Sequence, residues 1–172
     1  IDVSLGTCQD AAKELNAGFI SLVTRRRPLF TLKTATTLDG KIATISGKSK
    51  WITGVDARAQ SHALRASYDA ILTGIGTVKS DDPLMTCRLP GCEDMTPIRI
   101  LLDTNLSVKL DDNIIKTASD KNPVFIFTSN KSIKHFNFNE LNNRNGIQIF
   151  MDKNINKITP GFVAQTLADV GI

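Results

Sequence analysis

Residues 69–78 read DAILTGIGTV: a continuous apolar run, then two glycines separated by a single residue, then a new apolar pattern. An uninterrupted apolar run closed by glycine predicts a strand covered on both faces, since a half-exposed strand would alternate polar and apolar residues. The same character recurs in IRILLD (98–103) and VFIFT (124–128), and in the shorter IQIFM (147–151). Helical patterns lie around these runs. Thr53 and Asp56 read as an N-cap and its third-position partner ahead of an Ala/Leu stripe at 59, 63, 64 and 66, so this helix is expected to pack close to a neighbour. At the other end, Thr159, Pro160 and Gly171 punctuate TPGFVAQTLADVG as a helix. Buried strands alternating with helices define an α/β sheet covered on both faces.

Upstream of these strands the patterns are more local. Cys8, Ala12, Leu15, Phe19 and Leu22 are spaced by four and three, which traces one helical face, and Thr7 with Asp10 reads as a capping box at its start. LFTLKTA (29–35) alternates Phe30 and Leu32 against Thr31 and Lys33, the period of a strand with one wet face that carries Lys33. Asp39-Gly40 in TTLDGKIAT is a turn signal between residues able to form two strands. The Asn- and Lys-rich stretch 130–157 reads as surface connections around one short helix. There is no internal repeat and no clear linker, so a single domain is the simplest expectation.

Composition narrows the function classes. The 172 residues are 41% hydrophobic and 22% charged, ordinary globular values that argue against disorder. No apolar run approaches the roughly 20 residues of a membrane helix. Three cysteines (Cys8, Cys87, Cys92) without a CxxC pair indicate neither a disulfide framework nor a zinc site, and point to a reducing cytoplasm. A net charge of +4 fits a pocket for an anionic small molecule or weak attraction to nucleic acid. Aromatics are only 6% and sit mostly in strands, which counts against a nucleic-acid surface. The chain begins without methionine and lacks the basic start and apolar run of a signal peptide, which suggests a piece of a longer polypeptide.

Candidate chemistry gathers after the first buried strand. In GIGTV (74–78) the Gly-x-Gly turn can bring backbone N–H groups close to a phosphate, although Lys79 stands where a dinucleotide fingerprint has its third glycine. A plain strand-to-helix connection explains the turn equally well. SDDPLMTCR holds Asp81, Asp82 and Arg88 around a proline. Adjacent carboxylates on extended chain face opposite ways, so one of the two is expected to cap or to face a ligand hydroxyl. Arg58, His62 and Arg65 share one side of their helix and could hold a phosphate, or could simply be an exposed face. The two histidines, His62 and His135, lack carboxylate companions at metal spacing, so no metal site is expected. From these residues alone the expectation is an α/β domain with an anion-binding strand edge.

Taken in order, RPLFTLKTATTLDGKIAT, GKSKWITG, ARAQSHALRASYDAILTGIGTVKSDDPLMTCR and PIRILLDT resemble the reductase domain of the bifunctional riboflavin-biosynthesis deaminase/reductase family. The resemblance is collinear from about residue 28 to residue 104. It implies a dihydrofolate-reductase-like, three-layer α/β fold with a mixed, mainly parallel sheet. It implies reduction of the ribosyl group of 5-amino-6-(5-phosphoribosylamino)uracil to a ribityl chain with hydride from NADPH, in a cytoplasmic homodimer with no nucleic-acid or membrane partner. Carried over by motif, Ala35, Trp51, Thr77, Asp81 and Thr104 border NADPH. Ser49, Arg65, Met85 and Arg88 hold the substrate, and Lys33 points into the same cleft as a catalytic candidate, with Asp39 and Asp81 as rival proton sources. Trp51 would stack on the cofactor or close over it, or else anchor its loop to the core. Residues 1–27 resemble the family's junction after a deaminase domain, whose HxE and PCxxC signatures do not occur in this sequence, and 28–172 the reductase domain. The family's Val-Glu-Gly-Gly type phosphate-binding motif and its last strands would then follow Ile172. A catalytically silent nucleotide-binding or assembly fragment of the same family is the alternative reading.

Overall fold

The structure, a computed structural model, describes residues 2–152 and 156–172. Residues 153–155 of the Asn/Lys-rich stretch lie outside the described residues. The chain divides into two compact units, 1–32 with 159–172, and 33–158.

The first unit starts with α1 (Gln9–Leu15) and α2 (Ala17–Arg25). The single expected helix is thus broken at Asn16, whose side-chain amide donates to the Ala12 carbonyl (2.8 Å). A side chain that competes for helix carbonyls favours a break there. The expected Thr7–Asp10 capping box does not form either. Cys8 caps α1 in a left-handed conformation without a side-chain bond, and Thr7 instead faces Ser4 at 3.4 Å.

In the second unit α3 (Val55–Ser67) leads to β1 (Ala70–Gly74), α4 (Ile75–Asp81), β2 (Ile98–Leu102), α5 (Asn113–Lys116), β3 (Val124–Ser129), a 3-10 turn (Asn130–Lys134), α6 (Phe138–Asn142) and β4 (Ile147–Asp152). Gly54, not Thr53, caps α3, and no α3 residue is buried, so the expected close packing of its Ala-rich stripe is absent among the described residues. The four strands follow the order β1-β2-β3-β4, and every pairing is parallel; no antiparallel strand joins them among the described residues.

The register places Arg99 and Leu101 of β2, Val124 and Ile126 of β3, and Ile147 of β4 on one face. That face packs Leu101, Val124, Ile126 and Ile147 against Val78 of α4, Ile114 and Ile115 of α5, and Leu141 of α6. The opposite face carries Ile100, Phe125 and Phe127, also buried, and Phe150 stacks on Phe127 with centroids 5.1 Å apart. β2 and β3 therefore meet the expectation of strands buried on both faces. β1 does not, because it pairs only with β2 among the described residues and leaves Leu72 40% exposed. Gly146 delivers the chain into β4 at φ +74°, where a Cβ would come within 2.4 Å of the Ser119 backbone. Only glycine fits that approach.

The strand expected over 29–35 is absent, and so are the two strands expected around Asp39-Gly40. The turn itself forms: Gly40 sits at φ +77° and the Lys41 carbonyl accepts from Thr37 N–H (2.9 Å), while the Thr37 hydroxyl donates to Asp39. Alternation supplies a strand with side chains but not with a ladder. With no neighbouring strand paired to it, the segment stays irregular. At the C-terminal end of the first unit, α7 (Pro160–Asp169) forms as expected, with Phe162 N–H donating to the Thr159 hydroxyl (3.2 Å) and Gly171 left-handed just past its end.

Candidate functional site

Parallel strands joined by helices bring all the strand-to-helix connections to the carboxyl edge of the sheet, where open α/β sheets hold their ligands. Gly74 of β1 lies opposite Leu102 of β2. Thr77, three residues past one strand end, and Thr104, two past the other, therefore rise from the same edge. Gly74 caps α4 without a side-chain bond, and a Cβ built on Gly74 or Gly76 would meet nothing within 4 Å. The first turn of α4 thus faces open space. Asp81 and Asp82 diverge. Asp82 turns left-handed at the end of α4, and its carboxylate accepts from the Asn113 N–H (2.7 Å) and side-chain amide (2.8 Å), fastening α4 to α5. Asp81 is exposed on the last turn.

A second group forms where α3 meets the 84–88 segment. Arg65 Nη1 donates to the Thr86 carbonyl (2.9 Å). His62 Nδ1 accepts from the Arg88 N–H (3.0 Å), and the Cys87 thiol donates to the His62 carbonyl (3.4 Å). The helix spacing of 62 and 65 aims both side chains at one short segment. Burial, then the positive charges of Arg65 and Arg88, hold the His62 imidazole below its ordinary pKa. Burial and then Arg88 also push Arg65 downward, with Cys87 acting the other way. An Arg65 guanidinium whose charge the neighbouring Arg88 disfavours, with no carboxylate among these bonds, makes a cradle suited to an anion. Met85 enters the same segment buried, with φ +58°.

Arg99 holds this segment from beneath. It is fully buried on β2, and its guanidinium donates to the Leu84 carbonyl (3.2 Å), the Ile114 carbonyl (3.3 Å), the Thr117 hydroxyl (2.7 Å), and the carbonyls of Thr117 (3.1 Å) and Asn122 (2.5 Å). Its Nε has no partner among the described residues. Burial pushes its pKa down to about 10, so the cation persists at neutral pH, held by neutral oxygens. The sequence signal was available, since a charge inside the apolar run IRILLD must be satisfied or it would not be tolerated there.

Thr104 is as firmly set. Its carbonyl accepts from the Ser129 N–H (3.2 Å) and from the hydroxyls of Ser129 (2.8 Å), Ser132 (3.1 Å) and Thr128 (3.3 Å). Buried Asp103 organises the turn behind it by accepting from the Val108 N–H (2.7 Å) and the Ser107 hydroxyl (3.2 Å).

The remaining sequence-derived candidates are not drawn into these groups. Lys33, Ser49 and Trp51 are exposed and Ala35 is half-buried, all in the irregular segment ahead of α3. Trp51 is 72% exposed, with the Arg58 guanidinium 4.4 Å from its ring centroid. Arg58 in turn donates to the Thr53 carbonyl (2.7 Å), so Trp51 closes over its own helix start. Sequence reasoning set His62 aside as a ligand and passed over its role in fixing Arg88. It also did not single out Arg99.

A parallel sheet with its anchored loops at the carboxyl edge defines an open α/β domain, and similarity to solved structures places it among the dihydrofolate-reductase-like ones. The family model described as the RibD C-terminal domain matches residues 28–161. The chain belongs to that family. Riboflavin biosynthesis protein RibD of Aquifex aeolicus is 39% identical over 156 residues, covering 91% of this chain and 42% of that protein. Among solved structures, a diaminohydroxyphosphoribosylaminopyrimidine deaminase/5-amino-6-(5-phosphoribosylamino)uracil reductase from Thermotoga maritima superposes with a TM-score of 0.76 at 30% identity, over 97% of this chain and 43% of that one. Acinetobacter baumannii RibD gives 0.77 at 31% identity, over 99% and 44%. The chain thus spans less than half the length of these relatives.

Proposed function

We propose that the chain supplies the reductase portion of a riboflavin-biosynthesis enzyme, which reduces the ribosyl group of 5-amino-6-(5-phosphoribosylamino)uracil to a ribityl chain with NADPH. The reductase activity for which the Thermotoga maritima relative is named supports the reaction. The observation that carries it is the cradle in which Arg65 is fixed on the Thr86 carbonyl and the Arg88 backbone on His62, suited to a substrate phosphate. In this reading residues 28–172 form the reductase segment and 1–27 the junction before it, in a cytoplasmic homodimer.

The residues present fit a dinucleotide at the strand edge, since the open space over Gly74 and Gly76 allows a phosphate to approach the first turn of α4. Thr77, Asp81 and Thr104 would border it there, with Ala35 and Trp51 on the opposite wall. The cofactor supplies the hydride, and the protein supplies position and protons. Arg65 and Arg88 hold the phosphate, with Ser49 and Met85 beside the substrate. Lys33 is the proton donor at the sugar. Of its rivals, Asp39 is engaged by the Thr37 hydroxyl in its own turn, and Asp81 lies at the far end of α4.

One observation favours binding without turnover as a second reading: Lys33, Ala35, Ser49 and Trp51 lie on a segment that forms neither helix nor strand. Trp51 fluorescence and NADPH absorbance, followed together with substrate present, separate the two. Turnover is expected, with Arg88→Met raising the substrate KM about 50-fold through loss of a charged hydrogen-bonding partner. Quenching without NADPH oxidation leaves only the second reading, and an unchanged KM removes Arg88 from the phosphate site.

A further inference from the structure

The segment that carries Met85 and Arg88 is pinned almost residue by residue. Arg99 holds the Leu84 carbonyl (3.2 Å), and Arg65 holds the Thr86 carbonyl (2.9 Å). The Cys87 N–H donates to the Thr96 hydroxyl (3.1 Å) and the Cys87 thiol to the His62 carbonyl (3.4 Å). Arg88 is the exposed end of this run, and its backbone N–H donates to His62 Nδ1 (3.0 Å). Past it the chain closes on itself, with the Cys92 N–H on the Leu89 carbonyl (2.9 Å) and the Gly91 N–H on the Glu93 carboxylate (3.0 Å). The placement of Arg88 therefore depends on one imidazole nitrogen.

That nitrogen has two states. In the neutral ring an accepting Nδ1 puts the proton on Nε2, whereas a protonated ring carries N–H on both nitrogens. Protonated Nδ1 would face the Arg88 N–H donor to donor, and the bond would be lost. The charged and titratable groups around the ring are Arg65 on its own helix and Cys87 and Arg88 on the facing segment. Arg58, one turn back on that helix, is turned to Trp51. None of these is a carboxylate that would favour an imidazolium. Burial and the two arginines hold the ring neutral at neutral pH, the form this geometry needs.

We propose that His62 is a positioning residue for the phosphate site: as the neutral Nε2–H tautomer it sets Arg88 in place for a phosphomonoester, and its protonation releases Arg88 and weakens that grip. The assignment rests on the reading of the Arg65–Arg88 cradle as the substrate-phosphate site, and it ties the affinity of that site to a proton. The ring acts through Arg88. A ring that touched the ligand itself would behave oppositely, because an imidazolium would attract the dianion and tighten binding in acid.

The test uses ribose 5-phosphate, which carries the phosphoribosyl group without the base, in calorimetric titrations of the chain between about pH 7.5 and pH 5. The reference is His62→Asn, whose side-chain oxygen accepts from an N–H and does not titrate. The ratio of wild-type to His62→Asn dissociation constants thus cancels the titration of the phosphate. It is expected to be near one at pH 7.5 and to rise about fivefold, the worth of one hydrogen bond, as pH falls below 6.5 through the lowered pKa of His62. His62→Phe, with wild-type far-ultraviolet circular dichroism, should bind the probe about fivefold more weakly already at pH 7.5. Should that variant not fold, the pH dependence of the ratio decides alone. A ratio that stays flat, a ratio that falls in acid, or wild-type affinity in folded His62→Phe would each overturn the assignment. Arg88→Met separates it from the reading beneath it. Weakened binding in Arg88→Met without weakening in His62→Phe would leave the cradle standing and remove His62 from it. Wild-type affinity in Arg88→Met, or no binding by the folded wild type, would remove the phosphate reading and the assignment together.

Discussion

Two parts of the second unit carry its candidate site in opposite ways. From Asp82 to Ser132 nearly every relevant group is tied down: Asp82 to Asn113, Arg99 to Leu84 and Thr117, Thr104 to Ser129 and Ser132. From Lys33 to Gly54 the chain forms turns but no helix or strand, and Leu38 and Ile45 are fully exposed. Both parts have apolar side chains at usable spacing. Parallel strands connected by their own helices find ladder partners and cover within a short stretch of sequence. A lone alternating segment has side chains to bury but no strand to bond.

The contrast fails first if Arg99 is not the clamp of the ordered part. Arg99→Met leaves the Leu84, Thr117 and Asn122 carbonyls without their donor in the interior. A loss of about 3 kcal/mol is expected in urea denaturation, since each buried polar group left unpaired costs ~1–3 kcal/mol. Arg99→Lys should recover only part of that, because an ammonium cannot span the same fork. A wild-type midpoint for Arg99→Met would mean that the segment carrying Met85 and Arg88 holds itself.

The His62 contact gives a smaller effect with a definite sign. Its folded pKa lies below 6.5, so between that lowered value and 6.5 the unfolded chain binds more protons than the folded one. Stability from this group is present above 6.5 and is lost as pH falls through the folded pKa. His62→Gln should flatten that part of the urea-midpoint profile between pH 7.5 and 5. An unchanged profile would assign the acid sensitivity elsewhere.

Smallest of all should be Leu38→Ser, within about 0.5 kcal/mol of wild type, because an exposed side chain has no burial to lose. A larger loss in thermal melts would show that the 33–54 segment is covered in solution, and would erase the contrast between the two parts.

Much of this was legible in the residues. The runs 98–103, 124–128 and 147–151 fixed three strands through their predominantly apolar character, and Thr159, Pro160 and Gly171 fixed the last helix by local chemistry alone. Thr77 and Thr104 were candidates through the family resemblance, and the strand register sets both at the carboxyl edge. Legibility failed where the outcome depended on a distant partner. Residues 29–35 have the period of a strand, but a ladder is made by two segments, and one sequence window cannot supply the second. Asn16 broke a helix whose apolar spacing was intact, through a side-chain bond that periodicity does not register.

The sequence by itself determined the α/β class, the buried strands and the supply of arginines, lysines and turn residues, because these depend on local pattern and residue chemistry. Only the tertiary structure decided that His62 positions Arg88 and that Arg99 is satisfied by neutral oxygens from three separate segments. Each of these joins residues 26 or more positions apart or gathers several segments around one group, and such contacts exist only after the sheet has brought its strand ends together.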